Sequence, residues 1–72
     1  MHIEILNSNN IIFKSANFDA SLKNTKMTFI TSAITEAIFN ELSYITLEDE
    51  KKNEVIIPRQ LITGSIYKFI GE

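Results

Sequence analysis

Isoleucine frames what this chain can fold into. It fills thirteen of the 72 positions, mostly in short runs where apolar and polar residues alternate. Such β-branched side chains are stiff at their first torsion and pack well on a pleated surface. Alternation with a period of two marks strands that bury one face. His2 to Leu6 and Tyr44 to Glu48 read this way, and Ile11 to Ser15, Glu54 to Ile57 and Ser65 to Ile70 read as further short strands.

Asn7-Ser8-Asn9-Asn10 between the first two runs is a turn cluster. A loop with an odd residue count puts Ile3, Ile5, Ile11 and Phe13 on one face, whereas two loop residues split them. The expected loop is therefore Ser8-Asn9-Asn10, with Asn10 left-handed. Phe18, Ala20 and Leu22, then Met27, Phe29 and Thr31, alternate with other residues around Lys23-Asn24-Thr25-Lys26. They read as a second hairpin with a weak first strand.

The period then changes. Ala33, Ile34, Ala37, Ile38 and Leu42 recur at helical spacing, with Glu36 and Asn40 opposite. The spacing predicts a helix from Ser32, as N-cap, to Ser43. After it, Ile45 and Leu47 share a strand face. Asp49 to Asn53 is a charged hairpin loop closed by a left-handed Asn53. Pro58 ends the return strand, and Pro58 to Gly64 has the early-Pro, late-Gly pattern of a short helical turn.

Chemistry-bearing residues are sparse. There is one His and no Cys. His2 lacks the companions that catalysis or a metal site requires, and reads as a solvated residue at a strand start. Asp49, Glu50 and Glu54 could be taken for a cation cluster, but Lys51 and Lys52 interrupt them and no calcium-loop spacing is present. They read as a solvated hairpin tip. Lys51, Lys52 and Arg59 come nearest to a basic patch, yet net charge is −2 and neither Tyr44 nor Tyr67 is embedded in basic residues. No phosphate-loop glycine motif occurs. The expectation is no enzyme, no metal or other cofactor, and no nucleic-acid partner.

Two features point to surface contact. Phe39 lies beyond the edge of the helical apolar stripe. The last strand is apolar on both faces, with Ile66 and Ile70 on one and Tyr67 and Phe69 on the other. Such a strand is either central and covered twice or part of an interface. Phe39, Ile66, Tyr67, Phe69 and Ile70 are the candidate interface residues.

Met27-Thr-Phe-Ile, the helix Ser32–Leu42, Ile45-Thr-Leu-Glu-Asp-Glu and Val55-Ile-Ile-Pro together resemble small proteins encoded by phages and mobile elements of low-G+C bacteria. Residues with A/T-rich codons (Phe, Tyr, Met, Ile, Asn, Lys) far outnumber those with G/C-rich codons (Gly, Ala, Arg, Pro). The resemblance implies an assembly or accessory part of a particle, or an inhibitor that occludes a host enzyme.

Size sharpens the expectation of a partner. Roughly 60% of the ~12,000 Å² exposed by the unfolded chain becomes buried in a domain this small. About 4,300 Å² of apolar burial at ~25 cal/mol/Å² contributes roughly 107 kcal/mol. Ordering the chain at ~1.5 kcal/mol per residue costs about 108 kcal/mol. Many domains this small fold alone, but others close the gap with disulfides, a metal or a partner subunit. Without Cys and with few metal ligands, a partner subunit is the device left.

The whole chain, 1–72, therefore reads as one α+β domain, a mostly antiparallel sheet of five to six short strands with one helix packed on it. The expected function is a non-catalytic protein-interaction module that self-associates, most simply as a dimer, in assembly or as an accessory factor. The alternative is a small inhibitor of one host protein. No signal-peptide pattern or membrane-length apolar run is evident, and the chain is expected in the cytoplasm.

Overall fold

A computed structural model describes residues 1–71. The chain runs through β1 (His2–Asn7), β2 (Asn10–Lys14), a 3₁₀ turn (Ala20–Leu22), α1 (Lys23–Phe39), β3 (Tyr44–Glu48), β4 (Glu54–Pro58), α2 (Arg59–Thr63) and β5 (Ile66–Ile70). The fold is α+β, as expected, but the strands divide into two antiparallel sheets. One has the order β2-β1-β5 and the other is the β3-β4 hairpin. A bridge between Ser15 and Asp49, and the Ala16 N–H donated to the Glu48 carbonyl at 2.9 Å, join the hairpin to the end of β2. A single core draws on Ile3, Ile5 and Phe13 from the larger sheet and Ile30, Ala33 and Ala37 from α1. Ile45 and Ile57 join it from the hairpin, and Ile62 from α2.

The first hairpin reaches its register by a route the sequence reading missed. Ser8 and Asn9, not Asn10, take positive φ (52° and 66°), so the loop has two residues. Two loop residues alone would split the apolar set. A β-bulge restores it: Ile5 pairs with Phe13 and Leu6 with Ile11, leaving Ile12 as the extra residue. Phe13 therefore joins Ile3 and Ile5 inside, while Ile11, expected to be buried with them, lies outside. Buried Ser15 locks the sheet end, its hydroxyl accepting from Ile3 N–H at 2.8 Å and donating to the Ala16 carbonyl at 3.0 Å.

The expected second hairpin does not form. Phe18 lies in a connecting segment, residues 20–22 form the 3₁₀ turn, and Met27, Phe29 and Thr31 lie within α1. The Asp19 carboxylate begins this segment by accepting from Ser21 N–H at 2.8 Å, and hydrogen bonding from Ser21 holds its carboxyl below the ordinary 3.8. Ser32, expected as the helix N-cap, is an exposed mid-helix residue. The alternation misled because α1 is rich in β-branched residues. Burial of Ile30, Ala33 and Ala37 at helical spacing overrides the weak helix propensity of the Thr and Ile residues. Thr31 and Thr35 satisfy their hydroxyls on the Thr28 and Thr31 carbonyls, at 3.1 and 3.0 Å.

The helix also ends before Ser43. Glu41 turns left-handed (φ 56°), and Leu42 N–H reaches back to the Glu36 carbonyl at 3.2 Å. Leu42 is half-buried outside the helix, and Ile38, expected inside, is 56% exposed.

The β3-β4 hairpin faces Ile45 and Leu47 inward together, as the alternation predicts, and their partners Ile57 and Val55 face inward with them. Its left-handed residue is Lys52 (φ 64°) rather than Asn53. The Pro58–Gly64 pattern does yield a short helix, α2, which buries Ile62. A Cβ on Gly64 would lie 2.8 Å from the Gln60 carbonyl oxygen, so close approach accounts for the glycine here.

β5 is an edge strand, not a central one covered twice. Pairing of Phe69 with Ile3 and Tyr67 with Ile5 puts both aromatic rings on the core side, and leaves Ile66, Lys68 and Ile70 on the outer face.

Candidate interaction surface

The residues that could carry chemistry have structural duties or stand apart. His2 Nε2 and Glu4 Oε2 lie 2.9 Å apart on the outer face of β1. Asp49 Oδ1 accepts from Lys51 N–H and Asn53 N–H, both at 2.9 Å, and so shapes the hairpin turn. No group of three His, Cys, Asp or Glu among the described residues could hold a metal ion. Lys51 and Lys52 sit at the tip of the β3-β4 hairpin and Arg59 at its base, so these three do not form one patch. No described helix is long and apolar enough to cross a membrane.

The five candidate interface residues fall into two groups. Phe39 is 76% exposed at the end of α1, and Ile66 is 61% exposed on the outer sheet face. Ile70 is half-buried on that same face. Tyr67 and Phe69 instead pack against the core. The Tyr67 hydroxyl donates to the Ile62 carbonyl at 3.0 Å, and burial pushes its pKa above the ordinary 10.0. The Phe69 ring meets Phe18 edge-on with centroids 6.4 Å apart, and Lys26 Nζ lies 5.5 Å from the centre of the Phe18 ring. These two aromatics hold the chain's own edge strand in place.

Exposed apolar residues outside the expected set include Met27, Ile38 and Ile56, which stand apart from one another in sequence, and others that gather on two further surfaces. The first is the outer face of β2-β1-β5. There the bulge sets Ile11 and Ile12 against Leu6, and Leu6 pairs with Ile66 on the far side. Ile11 and Ile12 are 49% and 43% exposed. The run Ile11-Ile12-Phe13 carried the signal, because three successive apolar residues cannot all share one face of a regular strand. The second is a groove between α1 and β3, lined by Phe29, Leu42 and Tyr44 and continuing past Leu22 and Phe18.

The outward side of α1 is also unusual. No charged residue occurs between Lys26 and Glu36, and Thr28, Thr31, Ser32 and Thr35 occupy the exposed pole. A solvated helix face ordinarily carries charge. The whole chain exposes 4927 Å², against about 4,500 Å² expected for a compact monomer of its mass. No protein-family model, curated protein or solved structure matches the chain.

Proposed function

We propose that this protein is a non-catalytic interaction module that self-associates and serves as an assembly or accessory factor. One observation carries the reading: large apolar side chains stand at the surface in contiguous groups, above all Ile11, Ile12 and Ile66 around half-buried Leu6 on one sheet face. Contiguous apolar groups rimmed by polar residues mark contact sites. The proposed setting is the cytoplasm, in a phage or mobile element of a low-G+C bacterium. Virion genes beside its own gene would support the assembly role. Sedimentation equilibrium over the micromolar range tests self-association. A species of twice 8.2 kDa supports it, and a single species near 8.2 kDa overturns it.

The α1–β3 groove favours a second reading, an inhibitor that receives a protruding side chain of one host protein. Phe18, Phe29 and Tyr44 give it an aromatic lining suited to such an anchor. A monomer that binds one purified host enzyme, and loses that binding on Phe29→Ser, would support this alternative over the first.

A further inference from the structure

We infer that the outer face of the β2-β1-β5 sheet is a two-fold contact, on which a second copy of this chain stacks sheet against sheet through Leu6, Ile11, Ile12 and Ile66. The inference rests on the self-association proposed above and names its surface and its symmetry.

Shape and area point to a second copy. A sheet face is flat and broad, and its natural complement is another sheet face packed at about 10 Å. The α1–β3 groove is concave and suits a projecting ligand instead. With Ile11 and Ile12 near half exposed and Ile66 beyond that, the apolar patch covers roughly 300 Å², comparable with the largest patch of a typical monomer, which is often functional. The flanking rows bring the buried area toward the roughly 500 Å² per partner that a specific interface needs.

Charge placement selects the orientation. Next to the patch on one side runs the cross-strand row Lys14–Glu4–Lys68. On the other side lies the uncharged turn Asn7-Ser8-Asn9-Asn10. A two-fold axis lying across the strands superposes patch on patch. It sets each charged row over the partner's amide-rich turn, which can hydrogen-bond to it. An axis along the strands would instead stack Lys14 over the partner's Lys68, and like charges oppose that arrangement.

Edge-to-edge growth is disfavoured at the β5, β4 and β2 edges. Antiparallel pairing of two β5 strands about their centre sets Lys68 against its own copy. Pro58 cannot donate to a ladder extending β4, and the bulge at Ile12 breaks the regularity of β2.

The test compares the wild type, the double variant Ile12→Lys with Ile66→Lys, and Phe39→Ser by sedimentation equilibrium, with circular dichroism reporting the fold. Two-dimensional amide NMR of the wild type on dilution is the second measurement, and does not depend on any variant folding. The expected result is a wild type and a Phe39→Ser variant at twice the chain mass, and a double variant at the single chain mass or unfolded. Dilution should shift the amides of Leu6, Ile11, Ile12 and Ile66 together. A folded double variant that stays dimeric, or dilution shifts centred on Phe29 and Phe39, would overturn the sheet contact while leaving self-association standing. A wild type that is monomeric throughout would overturn both.

Discussion

Several single residues hold backbone or proton positions that their neighbours dictate. Glu41 sits left-handed at the end of α1, a conformation that costs an L-residue about 1–2 kcal/mol. Glycine escapes that strain but loses more chain entropy on folding. Glu41→Gly should therefore raise stability by about 0.5–1 kcal/mol, measured by urea unfolding. Gly64 is the reverse case. Its α-carbon faces the Gln60 carbonyl, and Gly64→Ala should cost about 1–3 kcal/mol as α2 shifts to make room. Tyr67 links stability to pH. Its folded pKa is raised by burial, so the folded chain holds the phenolic proton more tightly than the unfolded chain does. The resulting stability is fully present below about pH 10 and is lost as the pH rises through the folded value. Tyr67→Phe should remove most of this alkaline loss in thermal melts, at a cost of about 1 kcal/mol near neutrality for the missing bond to Ile62.

At the scale of elements, legibility followed the strength of tertiary demand on each segment. β1 and β3 were readable because their alternation matches the face each one buries, and β4 and β5 because they are short β-branched and aromatic runs bounded by polar, Pro or Gly residues. The short helix after Pro58 was readable because proline and glycine constrain the backbone directly. Residues 18–31 were not, because Met27, Phe29 and Thr31 alternate by accident of composition while only Ile30 of that stretch is fully buried. The bulge at Ile12 is hidden for another reason: a single inserted residue reverses facing, and loop parity sets facing only along an unbroken ladder. The same bulge hid the sheet-face patch, so only Phe39, Ile66 and Ile70 of the expected interface lie on exposed or outer surfaces. A pair of substitutions checks the revised helix start. Asp19→Ala should lower the melting temperature by removing the acceptor for Ser21 N–H. Ser32→Ala should raise stability by about 0.5 kcal/mol, since alanine is the better helix former at an exposed interior position. An N-cap at Ser32 would give a loss of about 1 kcal/mol instead.

The molecule as a whole couples a thin core to a wide apolar exterior. Among the described residues its core is assembled from nine buried hydrophobic side chains of modest size, with Phe13 the single aromatic among them. Phe13→Ala should cost about 3–5 kcal/mol, a large share of what a domain this size commands, and should leave it largely unfolded at 37 °C. If association through the sheet face supplies part of the stability, unfolding must also separate the copies, and the melting temperature must depend on concentration. The size of that dependence follows from the chain length. Two copies of 72 residues gain about 300 cal/mol/K on unfolding, and a tenfold dilution is worth about 1.4 kcal/mol, so the midpoint should fall by about 5 °C per tenfold dilution. The double variant Ile12→Lys with Ile66→Lys, where it folds, should show no such dependence and should melt below the parent at high concentration. A parent whose midpoint stays fixed across two decades of concentration folds without its partner, and in that case the exposed isoleucines owe their place to something other than the stability of the fold.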